Sequence, residues 1–436
     1  MTEKDDNGGR PRLLMVVNVF HPDRGGGGAI FSDLAYGLAE RGIDVTVRCA
    51  YPYYPEWRDK SGANGLRIAR QEDHGVHVER YGIFIPRRPN SLVQRLLYEA
   101  SFLLSLLRSI RRGHDYDLVM AYCPLVGAVA FAAVNKWLHR KPLWLNVQDL
   151  SADAAAASGI ARGKGLIKGL GAVQNTLFNQ ADLWSSISPV MVRRLEALRT
   201  GGQPIAYLPN WLNASMSNAL AAQPGKEGRA PGETVNLLYA GNIGAKQDLL
   251  RFCKTLHDSD APFRFRIHGN GGHADTVRQW VGETGDARFS FGDFLDEPAW
   301  AQALNETDFF VITEKSGSGG SFIPCKMIAG LASGSPILAV SDADSPLGEE
   351  MRSADPGPWF AWDEAENAVA MLKTIAAAPE RFTTWQRNAT ARAAFYARDN
   401  VIARFEAIVR GICESGKVAE AVVDQASGEM GGNSQD

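Results

Sequence analysis

The residues of this 436-residue chain best suited to chemistry are glycines and lysines placed where an anion would be held. The stretch from Ser316 to Ala339 opens on Ser316-Gly-Ser-Gly-Gly-Ser321, which is free to bend closely around a ligand. Pro324 suits a first helical turn, where its missing N–H is one the turn leaves unpaired anyway. Lys326 follows in that turn, Met327, Ile328, Leu331 and Ala332 repeat at helical spacing, and Gly334 stops the helix before a buried strand, Pro336 to Val340. Loop, helix N-terminus and strand form a geometry in which backbone N–H groups and the helix dipole hold a phosphate. The same pattern also serves as an ordinary connection, and Lys326 is then a surface lysine. Three more glycine loops follow apolar runs: Gly25 to Gly28, Gly241-Asn242-Ile243-Gly244, and Gly269-Asn270-Gly271-Gly272. Four close-approach loops point to a phosphate-bearing ligand. Glu314 and Lys315 end a further apolar run; Glu314 is a candidate carboxylate near that ligand or an exposed loop acid.

The elements that must position these residues are legible from periodicity. Leu13 to Phe20 is a continuous apolar run, as for a parallel strand buried on both faces. The glycine loop, a helix from about Ala29 to Arg41 and a second strand, Asp44 to Cys49, complete a βαβ unit. It contains no G-x-G-x-x-G, and no acid ends the second strand, which disfavours a tightly bound NAD. Strands at 76–81, 117–122, 142–147 and 183–187 follow, with apolar helices around 125–138 and 164–180. The second half restarts with Val235 to Ala240, then Phe263 to His268, Arg288 to Phe291 and Asp308 to Thr313. The fold class is therefore α/β, with two Rossmann-like doubly wound domains facing each other and the ligand in the cleft at the carboxyl ends of their strands. The expected division is a tail (1–12), a first domain (13–215), a polar linker (216–233), a second domain (234–395), a helix packing back on the first domain (396–414) and a second tail (415–436), both tails disordered.

Composition excludes several classes. With 45% hydrophobic and 22% charged residues and a formal net charge of −3, nothing calls for a polyanionic partner, and no nucleic acid is expected. Five scattered cysteines without metal-type spacing predict a reduced compartment. Met1 to Arg12 lacks the apolar segment of a signal peptide, which argues against a periplasmic binding protein. No run is long enough to span a bilayer. One segment is unusual: 86–112 is strongly apolar and carries Arg87, Arg88, Arg95, Arg108, Arg111 and Arg112. It suits either a helix lying in a membrane interface or a helix covering the sheet. The loop Ala50 to Trp57, rich in proline and aromatics, reads as surface packing or as a lip that stacks on an acceptor.

Several motifs together carry a resemblance. Tyr51-Pro-Tyr-Tyr-Pro-Glu-Trp57, Val147-Gln-Asp-Leu150 with Asp153-Ala-Ala-Ala156, Leu208-Pro-Asn-Trp-Leu212, Tyr239-Ala-Gly-Asn-Ile-Gly244 with Lys246-Gln247, Ile323-Pro-Cys-Lys326 and Leu331-Ala-Ser-Gly334 occur in order over residues 13–412. The chain thereby resembles a bacterial family 4 glycosyltransferase of the GT-B fold, and most closely the colanic-acid and O-antigen subgroup. The resemblance implies retaining transfer of a sugar from a UDP- or GDP-sugar to a lipid-linked (polyprenyl diphosphate) acceptor, at the cytoplasmic face of the membrane. It implies no cofactor, and no metal is expected because lysines and helix N-termini can neutralise the leaving group. Lys246 matches the family's basic residue at the donor diphosphate, where its charge would neutralise the leaving group. Gly27, Gly28, Gly241, Asn242, Gly244, Gly269, Asn270, Lys315, Ser321 and Lys326 complete the implied donor site. Asp149 falls where the wider family has a His-Asp pair, to orient sugar or acceptor, or else to cap a helix. Asn210 and Trp211 match the subgroup's motif at the hinge.

The chain departs from the wider family where two glutamates eight positions apart would stand. Here they are Ser321 and Ala329, and Gly320 replaces a further subgroup acid. These losses motivate an alternative, a catalytically degenerate GT-B scaffold within a polysaccharide assembly complex. A GT-B nucleotide-sugar epimerase is a third reading, which leaves the arginine-rich segment without a purpose.

Overall fold

The structure, a computed structural model, describes residues 9–23, 27–89, 91–150, 164–226, 228–317 and 323–418. Gly25, Gly26, Asp153 to Ala156, Gly320, Ser321 and the outermost parts of both tails lie outside the described residues. The chain divides into two compact units, residues 1–209 with 401–436, and residues 210–400.

The first unit is built on β1 (Arg12–Val16), α1 (Gly28–Glu40), β2 (Asp44–Ala50), β3 (Ala69–Asp73), β4 (Val76–Tyr81), α2 (Leu92–Leu107), β5 (Leu118–Cys123), α3 (Val126–His139), β6 (Leu143–Val147), α4 (Lys164–Phe178), β7 (Leu183–Ser186), α5 (Pro189–Leu198) and β8 (Ile205–Tyr207). Its eight strands run in the order β3-β4-β2-β1-β5-β6-β7-β8. All neighbours are parallel except the β3–β4 pair at the edge. The apolar runs that predicted buried strands are the middle of this sheet, and β5, β6 and β7 are buried at every position. β3 escaped the sequence reading because Ala-Arg-Gln-Glu-Asp has no apolar period; an edge strand needs none.

The segment 86–112 is not one helix. Pro86 and Pro89 hold its start out of helical geometry, α2 runs only from Leu92 to Leu107, and a 3₁₀ turn follows at Ile110–Asp115. Tyr98, Phe102 and Leu106 are buried in the core, so α2 does cover the sheet.

The second unit comprises α6 (Ala214–Ala221), β9 (Val235–Asn242), α7 (Leu249–His257), β10 (Phe263–Asn270), α8 (Ala274–Thr284), β11 (Phe289–Gly292), α9 (Glu297–Asn305), β12 (Phe309–Thr313), α10 (Cys325–Ala332), β13 (Ile337–Val340), α11 (Pro346–Ala354), β14 (Trp359–Phe360), α12 (Asn367–Ala377) and α13 (Glu380–Ala393). Its sheet, β11-β10-β9-β12-β13-β14, is wholly parallel and reverses its winding between β9 and β12. That reversal is where the carboxyl ends of two strands open a crevice.

The stretch expected to be a linker belongs to this second unit, whose first residue is Asn210. Met216 of α6 is buried in the core. Lys226 donates to the carbonyl of Thr307 and to Ser335 Oγ, and Arg229 pairs with Asp308 at 2.6 Å. Charges that look solvated in the sequence each have a partner at the amino-terminal edge of the sheet. After α13, a last helix, Arg398–Ser415, belongs to the first unit from Val401 onward, and Phe405 stacks on the fully buried Trp144 with ring centroids 5.3 Å apart.

Candidate functional site

The crevice of the second sheet collects most of the residues singled out by the sequence. β9 ends in Gly241 and Asn242, and its loop is shaped by close backbone contacts. A Cβ on Gly269 would sit 1.9 Å from the Gly241 oxygen, and one on Gly271 would sit 2.6 Å from that of Ile243. The loops after β9 and β10 therefore touch backbone to backbone, which only glycine permits. The Gly244 amide does not face outward to a phosphate as expected. It donates to Gln247 Oε1 at 2.8 Å, closing the turn on itself. The Asn270 carbonyl likewise accepts from Ile243 N at 2.9 Å, and its Oδ1 from Gly271 N at 2.7 Å.

Lys246 and Lys315 come together across the reversal, since the Lys315 amide donates to the Lys246 carbonyl at 2.8 Å. Both side chains are exposed. Between them the chain turns Glu314 inward. Its amide donates to Val340 O at 2.9 Å and its carbonyl accepts from Trp362 Nε1 at 2.6 Å. Glu314 is thus not an exposed loop acid: burial pushes its carboxyl up to about 7, against the opposing pull of a Ser345 hydrogen bond and of Lys326.

Lys326 is not a surface lysine either. It lies in the first turn of α10, its stem running beside Gly241, and its Nζ is buried without a hydrogen-bond partner. The ammonium sits over the Tyr239 ring, 3.8 Å from the centroid. Burial pulls this amine down to about 7, only partly offset by Glu314. A desolvated cation with an unmet donor in the first turn of a helix is a seat for an anion. Sequence reasoning names Tyr239 only as part of a motif and misses Trp362 and Ser345, whose local pattern does not mark them; these three hold the group in place. It also missed Asp342, which accepts from Ser316 Oγ at 2.7 Å and Gly317 N at 2.6 Å and so fixes the start of the glycine-serine loop. Ser321 lies outside the described residues, and Ala329 is fully buried in α10. Among the described residues no cluster of side chains could hold a metal ion.

Because burial disfavours the charged carboxylate of Glu314, its cost to the fold is absent below the ordinary value of 4.5 and complete above about 7. Glu314→Gln should therefore leave the melting temperature unchanged near pH 4.5 and raise it by about 2–4 °C at pH 8. Thermal melts of both proteins across that range check the sign.

In the first unit, Gly27 and Gly28 open α1 at the carboxyl end of β1. Gly27 takes φ +90, and a Cβ on Gly28 would fall 2.3 Å from the Asp23 carbonyl. Asp23 is buried and ties this loop to the aromatic one, accepting from the Tyr53 and Tyr54 amides at 2.7 and 2.9 Å and from Lys60 at 3.0 Å. The aromatic loop packs inward rather than forming a lip. Tyr53 is fully buried, its hydroxyl 2.7 Å from that of Tyr98, and Arg95 covers the Trp57 ring at 4.7 Å. Asp149 follows β6, with its Oδ1 accepting from the Leu150 amide at 2.8 Å and its carbonyl from Cys123 Sγ at 3.2 Å. In the second unit, Asn210 Nδ2 reaches Cys325 Sγ at 3.9 Å, and Trp211 is buried.

Known proteins share this architecture. Residues 25–211 match the glycosyl transferase 4-like domain family. A protein of Escherichia coli K12 named as a colanic acid biosynthesis glycosyl transferase, WcaI, is 25% identical over 348 residues, covering 78% of this chain and 85% of that one. Sucrose-phosphate synthase from Thermosynechococcus elongatus superposes with a TM-score of 0.65 at 14% identity, over 93% of this chain and all of that one. HepE of Anabaena, solved with UDP and glucose, superposes with a TM-score of 0.58 at 16% identity, over 92% and 98% of the two chains. With two doubly wound domains, the glycosyl transferase 4-like match over residues 25–211 and these motifs in order, the chain has the GT-B fold and is similar to bacterial family 4 glycosyltransferases, among them the colanic-acid and O-antigen subgroup.

Proposed function

We propose that this chain transfers a sugar, with retention of configuration and without a metal, from a UDP- or GDP-sugar to a polyprenyl-diphosphate-linked sugar acceptor in exopolysaccharide or O-antigen assembly. The observation that carries the proposal is the buried ammonium of Lys326, without a hydrogen-bond partner, over Tyr239 of β9. In this reading Lys326 and the α10 N-terminus hold the diphosphate, and Lys246 neutralises the leaving group as the glycosidic bond breaks. Lys315 adds charge, and the backbone of Gly241, Asn242, Gly269 and Asn270 allows close approach. Glu314, whose carboxyl is pushed up to about 7 by burial, offers a hydrogen bond to the donor sugar or phosphate in its protonated form. Gly27, Gly28 and Asp149 act from the first domain, Asp149 orienting sugar or acceptor. HepE, solved with UDP and glucose, supports the choice of donor, and the name of WcaI supports the choice of pathway. The acceptor is met at the inner membrane face, through the arginine-rich segment 86–112.

Transfer from UDP- and GDP-sugars to a membrane lipid fraction tests this. Lys246→Ala should lower turnover about 100-fold or more with folding intact. Polymer production that is unchanged by Lys246→Ala in cells would favour the scaffold alternative, to which the buried Ala329 in place of a family glutamate gives weight.

A further inference from the structure

α2, α3 and α4 form one layer on the first sheet, with α3 touching both neighbours. Their inner faces are core. Their outer faces are not polar, as a solvated layer would be. Val93, Leu96, Leu97 and Leu104 on α2 are 66%, 52%, 49% and 65% exposed, Trp137 on α3 is 79% exposed and Val173 on α4 is 55% exposed. On α2 these positions recur at three, four and seven residues, a single outward stripe. Of the eleven large hydrophobic side chains most exposed among the described residues, eight lie on these three helices, so the patch is a feature of this face and not of the surface at large. Trp137 is the only one of the ten tryptophans in the exposed class.

Charge on the same layer is one-sided. Across all three helices the only acid is Glu99, and it is turned inward to accept from the Gly127 amide at 2.8 Å. Burial pushes that carboxyl up to about 7. Arg87 and Arg88 precede α2, Arg108 caps it and Arg111 follows, Arg140 caps α3 and Lys168 lies on α4, all six exposed. An acid-free apolar face rimmed by cations complements an anionic bilayer surface. A second copy of the chain is a poor occupant, since a two-fold contact would set these cations against one another. No helix among the described residues is long and apolar enough to cross a membrane, so contact is from one side.

We propose that the membrane-contacting surface is the joint outer face of α2, α3 and α4, with Trp137 as its interfacial anchor, and not the segment 86–112 alone. This rests on the reading that the protein meets a membrane at all, and the variants separate the two claims. Partitioning onto vesicles of phosphatidylcholine, with and without phosphatidylglycerol, is measured by co-sedimentation of the full chain. Trp137→Ser with Val173→Ser, entirely outside 86–112, should weaken binding roughly tenfold or more, as should Val93→Ser with Leu96→Ser. UDP binding should be unchanged in all of them. Trp137→Phe should retain binding and lose the quenching of tryptophan fluorescence by brominated lipid, an arm that holds even if a serine variant misfolds. Wild-type binding by the Trp137/Val173 variant, alongside loss in the Val93/Leu96 variant, would confine contact to 86–112 and overturn the proposal. Wild-type binding by both would overturn the membrane reading as well. Indifference to phosphatidylglycerol, or no quenching in the wild type, would also count against the proposal.

Discussion

Lys326→Met should weaken binding of UDP and GDP by roughly 30–100-fold without lowering the melting temperature of the free protein. Charge-assisted hydrogen bonds to a phosphate oxygen contribute about 2–3 kcal/mol, the scale of that loss. Stability should hold because the amine is already a liability in the empty protein: its Nζ is buried, bonded to nothing, and pulled down to about 7. Methionine fills similar volume over the Tyr239 ring and removes a desolvated charge, a change that is often neutral or stabilising. Glu314 pays little for the loss, since it is half-protonated near neutrality in any case. Titration calorimetry with each nucleotide, alongside thermal melts, reads both halves. A large drop in melting temperature with unchanged affinity would make Lys326 a structural residue.

Gly269→Ala should lower the melting temperature by about 5–10 °C and abolish nucleotide binding together. Gly269 pairs with Gly241 in the β9–β10 ladder, and a Cβ there would lie 1.9 Å from the Gly241 oxygen and 3.1 Å from its carbonyl carbon. No side chain is available to move aside; the end of β9 must shift, and with it the loop that presents Lys246. Gly272→Ala, three residues along the same loop, meets nothing within 4 Å and serves as the control, with stability and binding both unchanged. Differential scanning calorimetry and equilibrium dialysis compare the two. Equal melting temperatures would mean that the β9 and β10 loops are not held in contact.

The doubly wound fold was legible because parallel strands buried on both faces leave unbroken apolar runs, as at Leu118–Cys123 and Phe309–Thr313. Features that depend on a distant partner were not legible. Lys226 and Arg229 read as linker because their partners, Thr307, Ser335 and Asp308, lie about a hundred residues away. Lys326 and Glu314 each read also as surface residues in the sequence, a role the structure removes; what buries them, Tyr239, Ser345 and Trp362, comes from three other segments. The aromatic loop at 51–57 showed the converse. Its composition reads as either packing or a binding lip, and hydrogen bonds from the Tyr53 amide to Asp23 and between the Tyr53 and Tyr98 hydroxyls draw Tyr53 into the core. In the segment 86–112, periodicity could have separated the buried Tyr98, Phe102 and Leu106 from the exposed Val93, Leu97 and Leu104; counting arginines did not.

The first domain is made from both ends of the chain, with the second inserted between Pro209 and Val401. This sets an order of events on the ribosome. When Pro209 emerges, the first sheet can pair its strands, yet the surface of Trp144 still lacks Phe405 and the buried residues around it, Val401, Ile402 and Ile408. Roughly 190 residues must be synthesised before that cover arrives, on the order of 10–40 s at ordinary elongation rates. The second domain, a single continuous segment, can close its own core in that interval. The domain translated first is therefore the one finished last, and its unroofed apolar face is what a chaperone would have to shield during translation.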